Sequence, residues 1–207
     1  MKPIESSDNE KQEYWNASQR GQKNQHEDTV DLALFKKIIA VSPICELMVR
    51  SGLRISELLD NTAKFTKKAV RFKLNKKKDN IFHDINIIGN VQNWTAMYKD
   101  LKLSIQGKSS KSITDSINLK LKKILPKDFY KKSSHICRAL YIRYIYKFKC
   151  GIYAKWTIPQ IISTFLHHEN TNASAYYQHI LLDDDVGDFL NVKDQLTEES
   201  VSQKNLC

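Results

Sequence analysis

Arg54 stands three residues before Glu57 in the run Ser51-Gly52-Leu53-Arg54-Ile55-Ser56-Glu57-Leu58-Leu59, the first of several groups suited to chemistry on a phosphodiester. A basic stretch with no acid follows from Lys64 to Lys78, including Lys67, Lys68, Arg71, Lys73, Lys76, Lys77 and Lys78. Further on come His135-Ile136-Cys137-Arg138, then Leu166-His167-His168, then Tyr177 beside Tyr176. A guanidinium forks onto two phosphate oxygens, and two forks can hold a phosphorus centre while charge grows on its non-bridging oxygens. A lysine or histidine can protonate a leaving oxygen, and a tyrosine hydroxyl can attack phosphorus. Free phenol ionises only at about pH 10, so a nucleophilic tyrosine needs concentrated positive charge around it. Taken singly, each residue has a plainer reading. Arg54 and Arg138 are ordinary helix arginines, His135 a structural histidine, Tyr177 core packing, and the lysines a solvated face. Their joint occurrence in one order outweighs those readings.

The elements that must position these groups are legible in outline. Val30, Leu32, Leu34, Ile38 and Ile39 give a helical face from Thr29, with Asp28 or Thr29 as its cap. Pro43 breaks that run, a short helix follows through Leu47 to Arg50, Gly52 ends it, and helix resumes over Ile55 to Leu59. Val70, Phe72 and Leu74 alternate with basic residues and are answered by Ile81, Ile85 and Ile87 across a turn at Lys76 to Asn80, which predicts a hairpin with a basic tip. Helices are expected from Ser110 to Ile124 before Pro126, from Ser134 to Tyr146, and from Ile158 to Leu166 behind a Thr157 cap. Two shorter ones are expected over Asn172 to His179 and Val186 to Leu196. The result is a mostly α (α+β) chain, helical with a small β-hairpin or sheet. Three parts are expected: a flexible polar arm over 1–28, a catalytic domain over 29–182, and an acidic break with a C-terminal tail over 183–207.

The ordered boxes resemble the catalytic domain of the tyrosine recombinase (phage integrase) family, over about Thr29 to Ile180. There an arginine box is followed by a hairpin lysine, an H-x-x-R box, and an L-G-H stretch nine residues before the tyrosine; His168 to Tyr177 keeps that interval. The resemblance implies a helical DNA strand transferase working through a covalent 3′-phosphotyrosine. It implies Tyr177 as nucleophile, Arg54 and Arg138 as phosphate clamp, His135 and His168 as phosphate-bonding groups that assist proton transfer, and Lys76 as general acid. Glu57, one helical turn from Arg54, would orient the clamp. His167 stands at the family's glycine, so a second register, His167 with Tyr176, keeps the same interval. Lys77 and Lys78 share the hairpin tip with Lys76, and Ala139 stands where bacterial recombinases usually have histidine. The long interval from Arg138 to His168 looks more like the telomere resolvases (protelomerases), which usually carry lysine at the His135 position. Viral recombinase-like proteins are a third relative.

Composition agrees with a polyanionic partner. The 207 residues carry a formal charge of +10, and 41% are hydrophobic, enough for a real core. The charge speaks for double-stranded DNA, with Lys67, Lys68, Arg71, Lys73, Lys77 and Lys78 as expected contacts. No run reaches the roughly 20 apolar residues a membrane-spanning helix needs, and the start lacks a signal-peptide pattern. Cys45, Cys137, Cys150 and Cys207 form no C-x-x-C pair and read as reduced thiols of an intracellular protein, cytoplasmic or nuclear. The sequons at Asn16, Asn93 and Asn172 read as chance matches. No cofactor and no metal are implied. The residues before the first helix are too few for the helical core-binding domain of the family, so weaker sequence specificity is expected. The leading reading is a site-specific recombinase or integrase of a virus or mobile element, acting as a homo-oligomer on DNA. The alternatives are a telomere resolvase, a type IB topoisomerase-like enzyme, and a non-catalytic architectural DNA-binding protein of the same fold.

Overall fold

A computed structural model describes residues 28–60, 63–75, 81–129, 133–149, 156–167, 177 and 179–190. The elements in order are β1 (Asp28–Val30), α1 (Leu32–Ala40), α2 (Pro43–Ser51), α3 (Ile55–Asp60), β2 (Ala63–Phe65), β3 (Val70–Lys73), β4 (Phe82–Ile85), α4 (Val91–Ser104), α5 (Ser110–Ile124), α6 (His135–Tyr144), α7 (Ile158–Leu166) and β5 (Ile180–Leu182). Residues 185–190 are again helical. The expected mostly helical chain with a small sheet is what forms.

Local signals start and stop most of these helices. Ser42 accepts a hydrogen bond from the Ile44 amide just ahead of Pro43, which fills the first turn of α2. Gly52 ends that helix in the left-handed conformation, at φ 66°. A Cβ there would lie 2.5 Å from the Tyr141 ring, so glycine is needed for space as well as for conformation. Ser109 caps α5 through the Ser112 amide, and Thr157 with Gln160 forms a reciprocal capping box on α7.

Two expectations fail at the start of the domain. The helix predicted from Thr29 begins at Leu32 instead, capped by Asp31, whose carboxylate accepts from the Leu34 amide at 2.7 Å. Asp28–Val30 is a strand, paired in parallel with Ile180–Leu182 in the register Asp28↔Ile180 and Val30↔Leu182. Asp28 is therefore part of the ordered domain and not of the arm; residues 1–27 lie outside the described residues. The Lys147 ammonium holds the far end of this pairing, bonded to the Leu182 carbonyl at 2.5 Å and 2.9 Å from Asp184.

The core is built around α2 and α6. Every residue of α6 except His135 and Arg143 is buried, and the helix winds on as a π turn over Ile145–Lys149 beyond the expected Tyr146 limit. Such all-round burial explains why its sequence shows no polar face. The second sheet has the order β2-β3-β4, antiparallel throughout, with Phe72↔His83 and Val70↔Ile85 opposite each other. Ile81 and Ile87, expected in the second strand, lie outside it, and Ile81 is exposed. β2 was not expected. Nor was α4, whose Trp94, Tyr98 and Leu101 carry the sheet on one buried face. Phe72 meets Trp94 and Tyr98 edge-on at 6.0 and 5.4 Å, while the Trp94 indole N–H donates to the Leu47 carbonyl at 3.2 Å. Burying such side chains stabilises by roughly 1.5–3 kcal/mol each.

In the tail, Val186 and Leu190 are buried and the Phe189 ring meets Phe35 of α1 at 6.3 Å. The expected tail helix thus packs on its own domain as far as Leu190, and its continuation to Leu196 lies outside the described residues. So does the expected helix over Asn172 to His179, apart from Tyr177 and His179.

Candidate active site

The turn after α2 delivers Arg54 to the start of α3, and Glu57 reaches back from one turn later. Its Oε2 accepts the Arg54 amide at 2.7 Å and its Oε1 accepts the Arg54 guanidinium at 2.6 Å. That is the carboxylate half of a capping box, with a charged side-chain bond added. Glu57 is fully buried, and Arg138 from α6 brings its Nη1 to 3.7 Å from Glu57 Oε2. Arg138 also donates to the Gly52 carbonyl at 2.5 Å. One carboxylate thus orders two guanidinium groups that come from boxes far apart in the chain.

Tyr177 is buried, and its phenol stands near enough to Arg138 to act on the guanidinium's charge. Burial pushes the Arg138 guanidinium below its ordinary value, the facing Tyr177 pulls it back up, the neighbouring Arg54 pushes down, and Glu57 pulls up. Arginine stays protonated through such shifts, so the cluster holds two cations against one anion. Tyr177 is held there by β5, which begins three residues later and pairs with β1; the Asp28 amide donates to the His179 carbonyl at 2.7 Å.

The other expected site residues divide. His135 opens α6 on its exposed side. Just before it, the Ser134 amide is capped by the Asn118 carboxamide at 2.9 Å, so α5 sets where α6 begins. Lys76, Lys77, Lys78 and His168 lie outside the described residues. Lys67 and Lys68 are exposed in the turn between β2 and β3. Arg71 projects from the outer face of the sheet and pairs across strands with Asp84 at 2.6 Å, and Lys73 lies 5.3 Å from the Phe82 ring centre.

Sequence reasoning gave no part to Asn75, whose amide donates to Ser56 Oγ at 3.0 Å and ties the exit of β3 to the Arg54 box. It left His167 with two readings. His167 ends α7 in the left-handed conformation, at φ 52° and ψ 36°, with its Nε2 3.2 Å from the Asp84 carbonyl. A non-glycine residue at the place of the family's glycine was the signal available for it.

No protein-family model matches the chain, and no curated protein matches it. Solved structures do. A protelomerase TelA covalently complexed with substrate DNA superposes with a TM-score of 0.59 at 16% identity, covering 90% of this chain and 70% of that one. A TelA mutant complexed with DNA hairpin product gives 0.57 at 15% identity, covering 89% and 70%. Protelomerase TelK complexed with substrate DNA gives 0.54 at 16% identity, covering 85% of this chain and 41% of that one. The fold is therefore one shared with these protelomerases. The chain spans less than half of TelK and about two thirds of TelA.

Proposed function

We propose that this chain is a DNA strand transferase of the tyrosine recombinase type, and within that class a telomere resolvase. The observation that carries the reading is Glu57 ordering Arg54 and Arg138, with the buried Tyr177 phenol acting on Arg138 from close by. In the reaction, Tyr177 gives up its phenol proton with help from His135 or His168, its Oη attacks a phosphorus, the bond to the 5′ oxygen breaks, and that oxygen takes a proton from Lys76. Arg54 and Arg138 hold the non-bridging oxygens, with His135 and His168 bonding beside them. The phosphotyrosine keeps the energy of the broken bond, so attack by a 5′ hydroxyl rejoins the strand without ATP. The left-handed turn at His167, in the place of a glycine, supports the register that pairs His168 with Tyr177. The protelomerase fold and the long interval from Arg138 to His168 favour hairpin ends over strand exchange. The same reading takes double-stranded DNA as partner, bound by the basic sheet, with two copies of the chain acting at one site inside the cell. It takes residues 29–182, with Asp28 added through its pairing with Ile180, as the catalytic domain and 183–207 as a tail.

The test is capture of a covalent adduct on nicked DNA carrying inverted repeats, followed by analysis of the products. Tyr177→Phe is expected to abolish the adduct with DNA binding near wild type, and Tyr176→Phe to retain it. An adduct that survives Tyr177→Phe would sink the assignment. Hairpin ends mark a resolvase, exchanged strands a recombinase, and relaxed supercoils without a defined site a topoisomerase-like enzyme.

A further inference from the structure

We infer that His167 is a positioning residue that clips β4, the return strand of the basic sheet, to the end of α7. Among the described residues it is the one non-glycine residue at positive φ. Such a backbone costs energy for a residue with a Cβ and persists where surrounding contacts hold it. Glycine would make this turn without that cost, so the imidazole is retained for what it touches. Its Nε2–H donates to the Asp84 carbonyl at 3.2 Å, and its ring lies 5.0 Å from the His83 ring, tilted by 46°. His83 and Asp84 are neighbours on β4, and the Asp84 carboxylate holds Arg71 on the outer face. At the other end of the hairpin, Asn75 is bonded to Ser56 in the Arg54 box. Each strand of the hairpin is thus fastened to a different box of the proposed site, the return strand by His167 at Asp84 and, one residue past its end, by the Tyr141 hydroxyl bonded to the Asn86 carbonyl at 2.8 Å.

The inference rests on the strand-transfer reading, and two substitutions separate a clip from a turn. His167→Gly relieves the backbone and removes the donor. His167→Gln keeps a donor of similar reach and the same backbone cost. Cleavage at saturating DNA is expected to fall about tenfold in His167→Gly with DNA affinity unchanged, and to stay within about threefold of wild type in His167→Gln. Hydrogen exchange at the amides of β4 is expected to quicken by about tenfold in His167→Gly only. A glycine variant that cleaves and exchanges like wild type overturns the clip. Equal losses in both variants also overturn it, because the imidazole would then act on the DNA itself. If the wild-type chain forms no adduct on any DNA, the strand-transfer reading fails, and the exchange rates of β4 still decide whether His167 holds the strand.

Discussion

Arg54 and Arg71 each place a guanidinium nitrogen 2.6 Å from a carboxylate oxygen, one within the helical cluster and the other on the face of the sheet. The distance is the same and the surroundings are opposite. Side-chain exposure is 16% and 0% for Arg54 and Glu57, against 50% and 68% for Arg71 and Asp84. A solvated pair on the surface gains about 0–1 kcal/mol, because water and salt screen it and both side chains lose freedom. A buried pair is no larger a source of net stability, yet breaking it leaves a charge without its partner in a poorly solvated place. The helical cluster is thus fixed by what it would cost to disturb. The sheet can exchange its carboxylate partner for a phosphate at small cost. A phosphate clamp needs the first property and a DNA-tracking surface needs the second.

The widest gap between the two regions should appear on removing the carboxylates. Glu57→Ala strips the shared partner from Arg54 and Arg138 and is expected to destabilise the fold by about 3–5 kcal/mol in denaturant titration. Asp84→Ala is expected to cost no more than about 1 kcal/mol. Equal losses would mean that the two pairs do not differ in what their burial makes them cost. Next in size is the proposed clamp. Arg138→Ala is expected to slow covalent adduct formation by about 10²-fold or more, measured by single-turnover cleavage. A smaller loss than that from Arg71→Ala would place the chemistry elsewhere.

The underside of the sheet gives a third measure. Burial pushes the Tyr98 phenol from 10.0 up to about 12. Above pH 10 the unfolded chain sheds that proton first and so binds fewer protons than the folded one. Stability is therefore full below pH 10 and falls as pH rises towards 12. Denaturant midpoints at pH 9 and pH 11 should show this decline in wild type and a shallower one in Tyr98→Phe. The smallest effect belongs to the outer face. Arg71→Ala should leave the denaturation midpoint almost unmoved while lowering the slope of log affinity against log salt by about one. An unchanged salt slope would remove Arg71 from the DNA surface.

What the sequence determined by itself lies within reach of a few residues. Thr157 ahead of Ile158 and the Ile113, Ile117 and Leu121 face behind Ser110 were read correctly as helix signals, and Ser42 with Pro43 starts α2 where only a break was expected, since caps and periodicity act over one or two turns. Arg54 and Glu57 meet for the same reason, Arg54 just ahead of α3 and Glu57 in its first turn. The tertiary structure decided the rest. Asp28–Val30 became a strand because its hydrogen-bond partner is Ile180–Leu182, at the other end of the domain, and no local propensity encodes that pairing. α4 escaped notice because its buried face is three residues among polar neighbours, and it gains its stability from the sheet lying on it. Which carboxylate would stand between two arginines, and which would stand in water, depended on how α2, α3 and α6 close around Glu57. Burial is a property of that closure, and it decides what a 2.6 Å contact is worth.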